Sequence, residues 1–308
     1  MRRRANVAYQ TKSMSAPELL QGNRPLAGIA FTAAAIALMS GQDAILKWLT
    51  SGYSTMQILL IRGTVVALIA MLVLRADGGF ERLATKRPWD HGLRCILNVV
   101  TVTLFITAIA RLPLADVMAL VMASPLFTLA LSTVILRDKV GFRRWTACVI
   151  GFVGVLVMLR PSGLAFNLGG LAALAASFCY SCMVIQTRRL TTSEGTGTMM
   201  FYTAAAVLLV SGAIAPLDWV TPSTSDVLLM FAAGVAVGLG HYCLVQGYRY
   251  ASPSVLAPID YTALVWGMLL GWAVWDELPD LVTLLGAALV VASGLYVLHR
   301  EARLARAA

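Results

Sequence analysis

Asp43 and Lys47 stand four residues apart in an otherwise apolar run, so both fall on one helical face and can pair. Arg62 lies seven residues after Thr55, at the start of the next run, and Asp43 seven before Thr50, at the end of its own. At 1.5 Å per residue both sit about 10 Å from the same boundary, and Asp43 can meet either cation. Such a set reads as a gate, as a site for a substrate carboxylate, or as an ion cluster that fastens two helices. His241 and Asp260 form a second set, each about 12 Å deep from the opposite boundary on successive runs. A carboxylate beside an imidazole suits proton coupling, because imidazole titrates near neutrality, and it equally suits a hydrogen-bonded pair that only orders two helices. Asn98, Tyr180, Gln246 and Trp266 can line an amphipathic cavity together with Gln42, Gln186, Tyr242 and Tyr261. Any one of these alone suits a hydrogen bond between neighbouring helices.

The elements that must carry these groups follow from composition. The chain has 308 residues, 59% apolar and 13% charged, with a mean hydropathy of +0.78. A soluble domain carries about 45–50% apolar and about 25% charged residues, so this is a membrane protein. Apolar runs occur at 26–50, 55–74, 92–111, 114–136, 143–160, 168–190, 196–217, 224–249, 252–275 and 281–299. Each is close to the ~20 residues that a helix needs to cross ~30 Å of hydrocarbon. The runs are continuous rather than alternating, and a backbone in lipid must satisfy its own hydrogen bonds, so helix is expected throughout. Pro125 and Pro258 fall inside related runs and each removes an intrahelical bond, which makes both hinge candidates. Gly234-x-x-x-Gly238 and Gly267-x-x-x-Gly271 provide small faces for close helix approach. Trp48, Trp145, Trp219, Trp272 and Trp275 fall at run ends, as interfacial anchors do.

The net charge of +9 belongs to topology rather than to nucleic acid, since no basic block is interleaved with aromatics. With the amino terminus inside, every Lys and Arg of the 24 falls on the inner side except Arg111, Arg160, Lys47 and Arg62. That bias puts both termini in the cytoplasm of a multi-pass inner-membrane protein. No apolar stretch precedes Pro25, so a cleaved signal peptide is not expected.

Residues 107–138 align without a gap on 246–277, GFVGVLVMLR matches ASGLYVLHR, and LKWL at 46–49 matches TRRL at 187–190. The expected fold is therefore an all-α membrane protein of ten transmembrane helices, arranged as two inverted five-helix repeats. The expected division is an arm at 1–25, a first repeat at 26–160, a linker at 161–167, a second repeat at 168–299 and a tail at 300–308. Asp43 falls opposite Val184, so the site is asymmetric although the repeat is not. The repeat, the arginine-bearing turn before the fourth helix of each half (TAIARLPLADVMAL from 107 and QGYRYASPSVLAPI from 246), and the opening DAILKWLTSGYSTMQILLIRG resemble the EamA-type branch of the drug/metabolite transporter superfamily. That resemblance implies a secondary transporter working by alternating access, most similar to exporters of amino acids, aromatic ones included. Vitamin, nucleoside and drug carriers of the same superfamily are the alternative.

Other classes find little support. The chain has three histidines and neither H-E-x-x-H nor G-x-S-x-G, so an intramembrane enzyme lacks its groups. No G-x-x-x-x-G-K-[ST] loop exists to drive a pump with nucleotide. The absence of Lys or Arg between Arg249 and Arg300 disfavours a sugar-phosphate exchanger. The five cysteines lie in apolar runs as small hydrophobes. No cofactor, metal or nucleic acid is expected; the partners are a small-molecule substrate and lipid. Two fused halves make one chain sufficient, while lipid-facing glycine motifs leave a dimer open.

Overall fold

A computed structural model describes residues 25–76, 78–85, 87–135, 142–159, 168–190, 194–250, 259 and 262–307. In chain order its helices are α1 (Pro25–Leu49), α2 (Thr55–Ala76), α3 (Pro88–Ile109), α4 (Leu114–Val121), α5 (Ser124–Ile135), α6 (Phe142–Leu159), α7 (Leu168–Leu190), α8 (Thr196–Ile214), α9 (Thr224–Tyr250), α10 (Thr262–Trp275) and α11 (Leu281–Ala307). Short 3-10 turns cover Phe80–Leu83 and Ala215–Asp218, and the described residues contain no strand. Six helices, α1, α2, α3, α7, α8 and α9, are long and apolar enough to cross a membrane. Leu72, Ile96, Val149, Leu209 and Leu285 are all more than half exposed. In water such a surface would be a liability; facing acyl chains it is not.

The run expected at 114–136 is two helices. Pro125 has no amide hydrogen, and its ring conflicts with the carbonyl four residues back, that of Val121. The chain accordingly leaves helix at Met122 and Ala123 and restarts with the proline in the first turn of α5. α7 packs onto the break: Ser177 Oγ reaches Val121 O, the carbonyl that Pro125 leaves without its amide, at 3.4 Å, and Ser181 Oγ donates to Ser124 O in the first turn of α5 at 2.8 Å. Pro125 thus marks a break rather than a bend within one helix. Its expected partner Pro258, like Asp260 and Tyr261, lies outside the described residues.

α1 packs along α9, α3 along α7, α2 against α8 and α9, α3 also against α8, and α6 along α11. α10 lies against α1 and α4, and α7 also touches α4 and α5. Exchange the helices before Leu168, in order, for those that follow it, with α4 and α5 counted as one, and this set of pairings maps onto itself. Glycine makes room for close approach in several of these contacts. A Cβ on Gly154 of α6 would sit 2.7 Å from Gly286 O of α11, and one on Gly286 would sit 2.6 Å from Gly154 O. The motif on α9 faces α2: a Cβ on Gly234 would meet Val65 at 2.7 Å and Arg62 O at 2.9 Å. On α10, Gly267 faces Met118 of α4, whereas Gly271 makes room for the backbone of Glu277.

Candidate functional site

Two polar clusters occupy equivalent seams at opposite ends of the bundle. In the first, between α1 and α2, Arg62 donates to Gln42 Oε1 and Gln42 Nε2 donates to Asp43 Oδ1. Arg62 lies within electrostatic reach of Asp43, and its Nε is buried without a hydrogen-bond partner among the described residues. Lys47 does not join them. The expected Asp43–Lys47 pair gives way to an ion pair between Lys47 and Glu277, 230 positions away in the chain. Local backbone geometry brings Glu277 there. The chain leaves α10 through Asp276 at φ 56°, a left-handed conformation that Asp tolerates better than most residues. The amides of Asp276 and Glu277 then return to the carbonyls of Trp272 and Gly271 at 3.0 and 3.1 Å. The Lys47 ammonium also stands 4.8 Å from the centre of the Trp275 ring, a cation–π contact.

Just beyond, the α1–α2 turn grips the connection entering α9. Tyr53 OH donates to Asp226 Oδ2 at 2.6 Å, and the fully buried Gln57 bonds both N and O of Val220, at 3.1 and 2.5 Å. The α7–α8 turn does the same at the other end for the connection entering α3. Thr85 Oγ1 donates to Glu194 Oε1 at 2.6 Å, Tyr202 OH donates to Leu83 O at 2.6 Å, and Arg87 Nη1 donates to Arg189 O at 3.2 Å. Inward of that turn, Arg94 of α3 donates from Nε to Thr187 Oγ1 at 2.9 Å and from Nη1 to Met199 O at 3.0 Å, and it also bonds Thr203. Gln186 Nε2 donates to Asp90 Oδ1 at 2.6 Å.

Taken from the apolar run that begins at 92, Arg94 reads as a topological charge. Pro88, well placed at a first helical turn, starts α3 four residues earlier and carries Arg94 into the seam. Asn98 Nδ2 lies 3.4 Å from Met183 Sδ, a weak contact between α3 and α7. His241 is exposed on α9, and its Nδ1 lies 2.8 Å from Val237 O of its own helix. Tyr180 and Trp266 are 44% and 37% exposed, and Gln246 is partly buried near the end of α9. The described residues contain no cluster of acids, histidines and cysteines able to hold a metal.

The sequence matches the EamA-like transporter family twice, over residues 26–160 and 167–298. The chain belongs to that family. It is a membrane transporter of the EamA type, and named relatives extend over nearly all of it. A riboflavin transporter of Vibrio cholerae is 30% identical over 282 residues, 91% of this chain and 93% of that protein. An S-adenosylmethionine uptake transporter of Rickettsia prowazekii is 27% identical over 276 residues, covering 90% and 94%. A crystal structure 21% identical in sequence superposes with a TM-score of 0.64 over 90% of this EamA chain and 98% of the other, which shows a shared fold.

Proposed function

We propose that this EamA-family chain carries a cofactor-sized heteroaromatic metabolite, of the riboflavin or S-adenosylmethionine kind, across the inner membrane by alternating access. The supporting observation is that helix pairings interchange between the two family matches. Five crossings per match make the halves inverted, and the positive-inside bias sets both termini in the cytoplasm. In this reading the Lys47–Glu277 pair and Trp275 close the outer end, and Asp43, Gln42 and Arg62 supply the polar groups beneath it. Asn98, Tyr180, Gln246 and Trp266 contribute to the rest of the path, His241 and Asp260 are its inner polar positions, and Pro125 and Pro258 are its hinges. The relatives, a riboflavin transporter and an S-adenosylmethionine uptake transporter, favour a vitamin or cofactor over the amino acids expected from sequence.

The test is counterflow in liposomes loaded in turn with riboflavin, S-adenosylmethionine and tyrosine. Saturable exchange of either of the first two is expected. Exchange of tyrosine alone would return the reading to amino acids, and exchange of none would remove this substrate class.

A further inference from the structure

Asp90, Arg94 and Asn98 recur at every fourth position of α3 and so form one stripe along it. The alignment that sets Thr107 against Gln246, carried back through both helices, sets this stripe against Leu229, Ala233 and Val237 of α9, all apolar. The match of 46–49 with 187–190 runs on without a gap to Thr55 and Thr196, which open α2 and α8. It sets Arg62 against Thr203 and Gln42 against Met183. Packing agrees with both registers: a Cβ on Gly234 would meet the Arg62 carbonyl, and the counterpart of Gly234, Cys95, lies beside Thr203. In the first seam the guanidinium therefore stands on α2, with alanine at the matching place on α9. In the second it stands on α3, with threonine at the matching place on α8.

Which wall carries the cation decides what it joins. Arg62 bonds Gln42 and has Asp43 as its nearby acid, so both partners belong to its own half of the chain. Arg94 belongs to the first half, yet its partners Thr187, Met199 O and Thr203 all belong to the second. Its neighbours on the stripe cross in the same way, Asp90 to Gln186 and Asn98 to Met183. We propose that Arg94 is a positioning residue of the transport cycle, tying α3 to α7 and α8 across the two halves and holding that seam closed until its bonds break. The assignment rests on the alternating-access reading above. Hydrogen bonds from a charged donor are stronger than neutral ones, and a guanidinium in an apolar seam has few other acceptors to turn to. Opening of the seam therefore follows this tie. Arg62, bonded within its own half, adds no such restraint to the first seam, where the Lys47–Glu277 pair joins the halves instead.

In the full chain with its five native cysteines replaced, spin labels at Trp89→Cys on α3 and Leu209→Cys on α8, both exposed positions, report the width of the seam without substrate. Counterflow of riboflavin and of S-adenosylmethionine is followed in the same proteins. Arg94→Ala is expected to raise the long-distance population about fivefold or more, the low end of ordinary coupling between sites, and to lower the maximal rate of counterflow. Arg94→Ala with Thr203→Arg and Met183→Gln copies Ala233, Arg62 and Gln42 into the second seam. This relocated cation is expected to recover the thermal midpoint that Arg94→Ala loses, yet to keep the widened distribution, whereas a merely structural cation would recover both. Thr187→Val with Thr203→Val leaves Arg94 in place and removes two of its acceptors; it too is expected to widen the seam, and it decides the matter should Arg94→Ala not fold. An unchanged distribution in Arg94→Ala or in the valine pair, or full return of the native distribution with the relocated cation, would overturn the proposal. Widening as expected, with no counterflow of either metabolite by the native chain, would support the tie and count against the substrate class alone.

Discussion

Lys47 and Asp43 share a helical face, yet the structure gives them different partners, and mutagenesis can read the difference. Asp43→Asn leaves Arg62 without its nearby acid, a loss of the class that costs about 3–5 kcal/mol when the site is buried. Adding Arg62→Gln is expected to recover most of the lost thermal stability in detergent, whereas adding Lys47→Gln is not, because Lys47 answers to Glu277. Equal rescue by both would show that all three charges act as one set. If the Lys47–Glu277 pair closes the proposed path, Lys47→Glu and Glu277→Lys should each slow counterflow, and the two together should restore it in part, without the cation–π contact to Trp275. The Asp43 and Arg62 neighbourhood was legible because a charge inside an apolar run is conspicuous. The Lys47–Glu277 pair was not, since nothing local in either segment records a partner 230 residues away.

Most helices fall within a few residues of their apolar runs, because length and hydropathy alone decide where lipid can be crossed. Hydropathy fails where polarity is not what changes. Met122 and Ala123 are as apolar as their neighbours, and only the backbone chemistry of Pro125 divides α4 from α5. The two serines that serve the break, Ser177 and Ser181, are spaced one helical turn apart on α7 and at most 1% exposed. Ser181→Ala removes a buried donor from the Ser124 carbonyl and should lower stability by about 1–3 kcal/mol, read as a drop in the thermal midpoint. Ser177→Ala, whose bond is longer, should cost less. The start of α3 shows the same lesson in charge: a boundary drawn at the first apolar residue passed over a helical first turn carrying Asp90 and His91.

At the scale of the whole chain, orientation is a matter of which solution each connection touches. A cysteine at Leu278, 67% exposed between α10 and α11, should react with an impermeant maleimide in intact cells, and one at Glu81 only after lysis. The reverse pattern would invert the topology. The glycine contact between α6 and α11 constrains how such a molecule can move. With each glycine facing the other's carbonyl and hemmed by Met158, Leu289 and Val290, the two helices have no room at that point in which to slide. Gly154→Val should therefore be far more damaging than Gly92→Ala, which meets open space and raises helix propensity by up to about 1 kcal/mol. A seam that cannot slide behaves as a fulcrum. Displacement during a transport cycle grows with distance from it, so label pairs along α6 and α11 should keep one separation while pairs spanning the α1–α2 and α7–α8 turns record the full stroke.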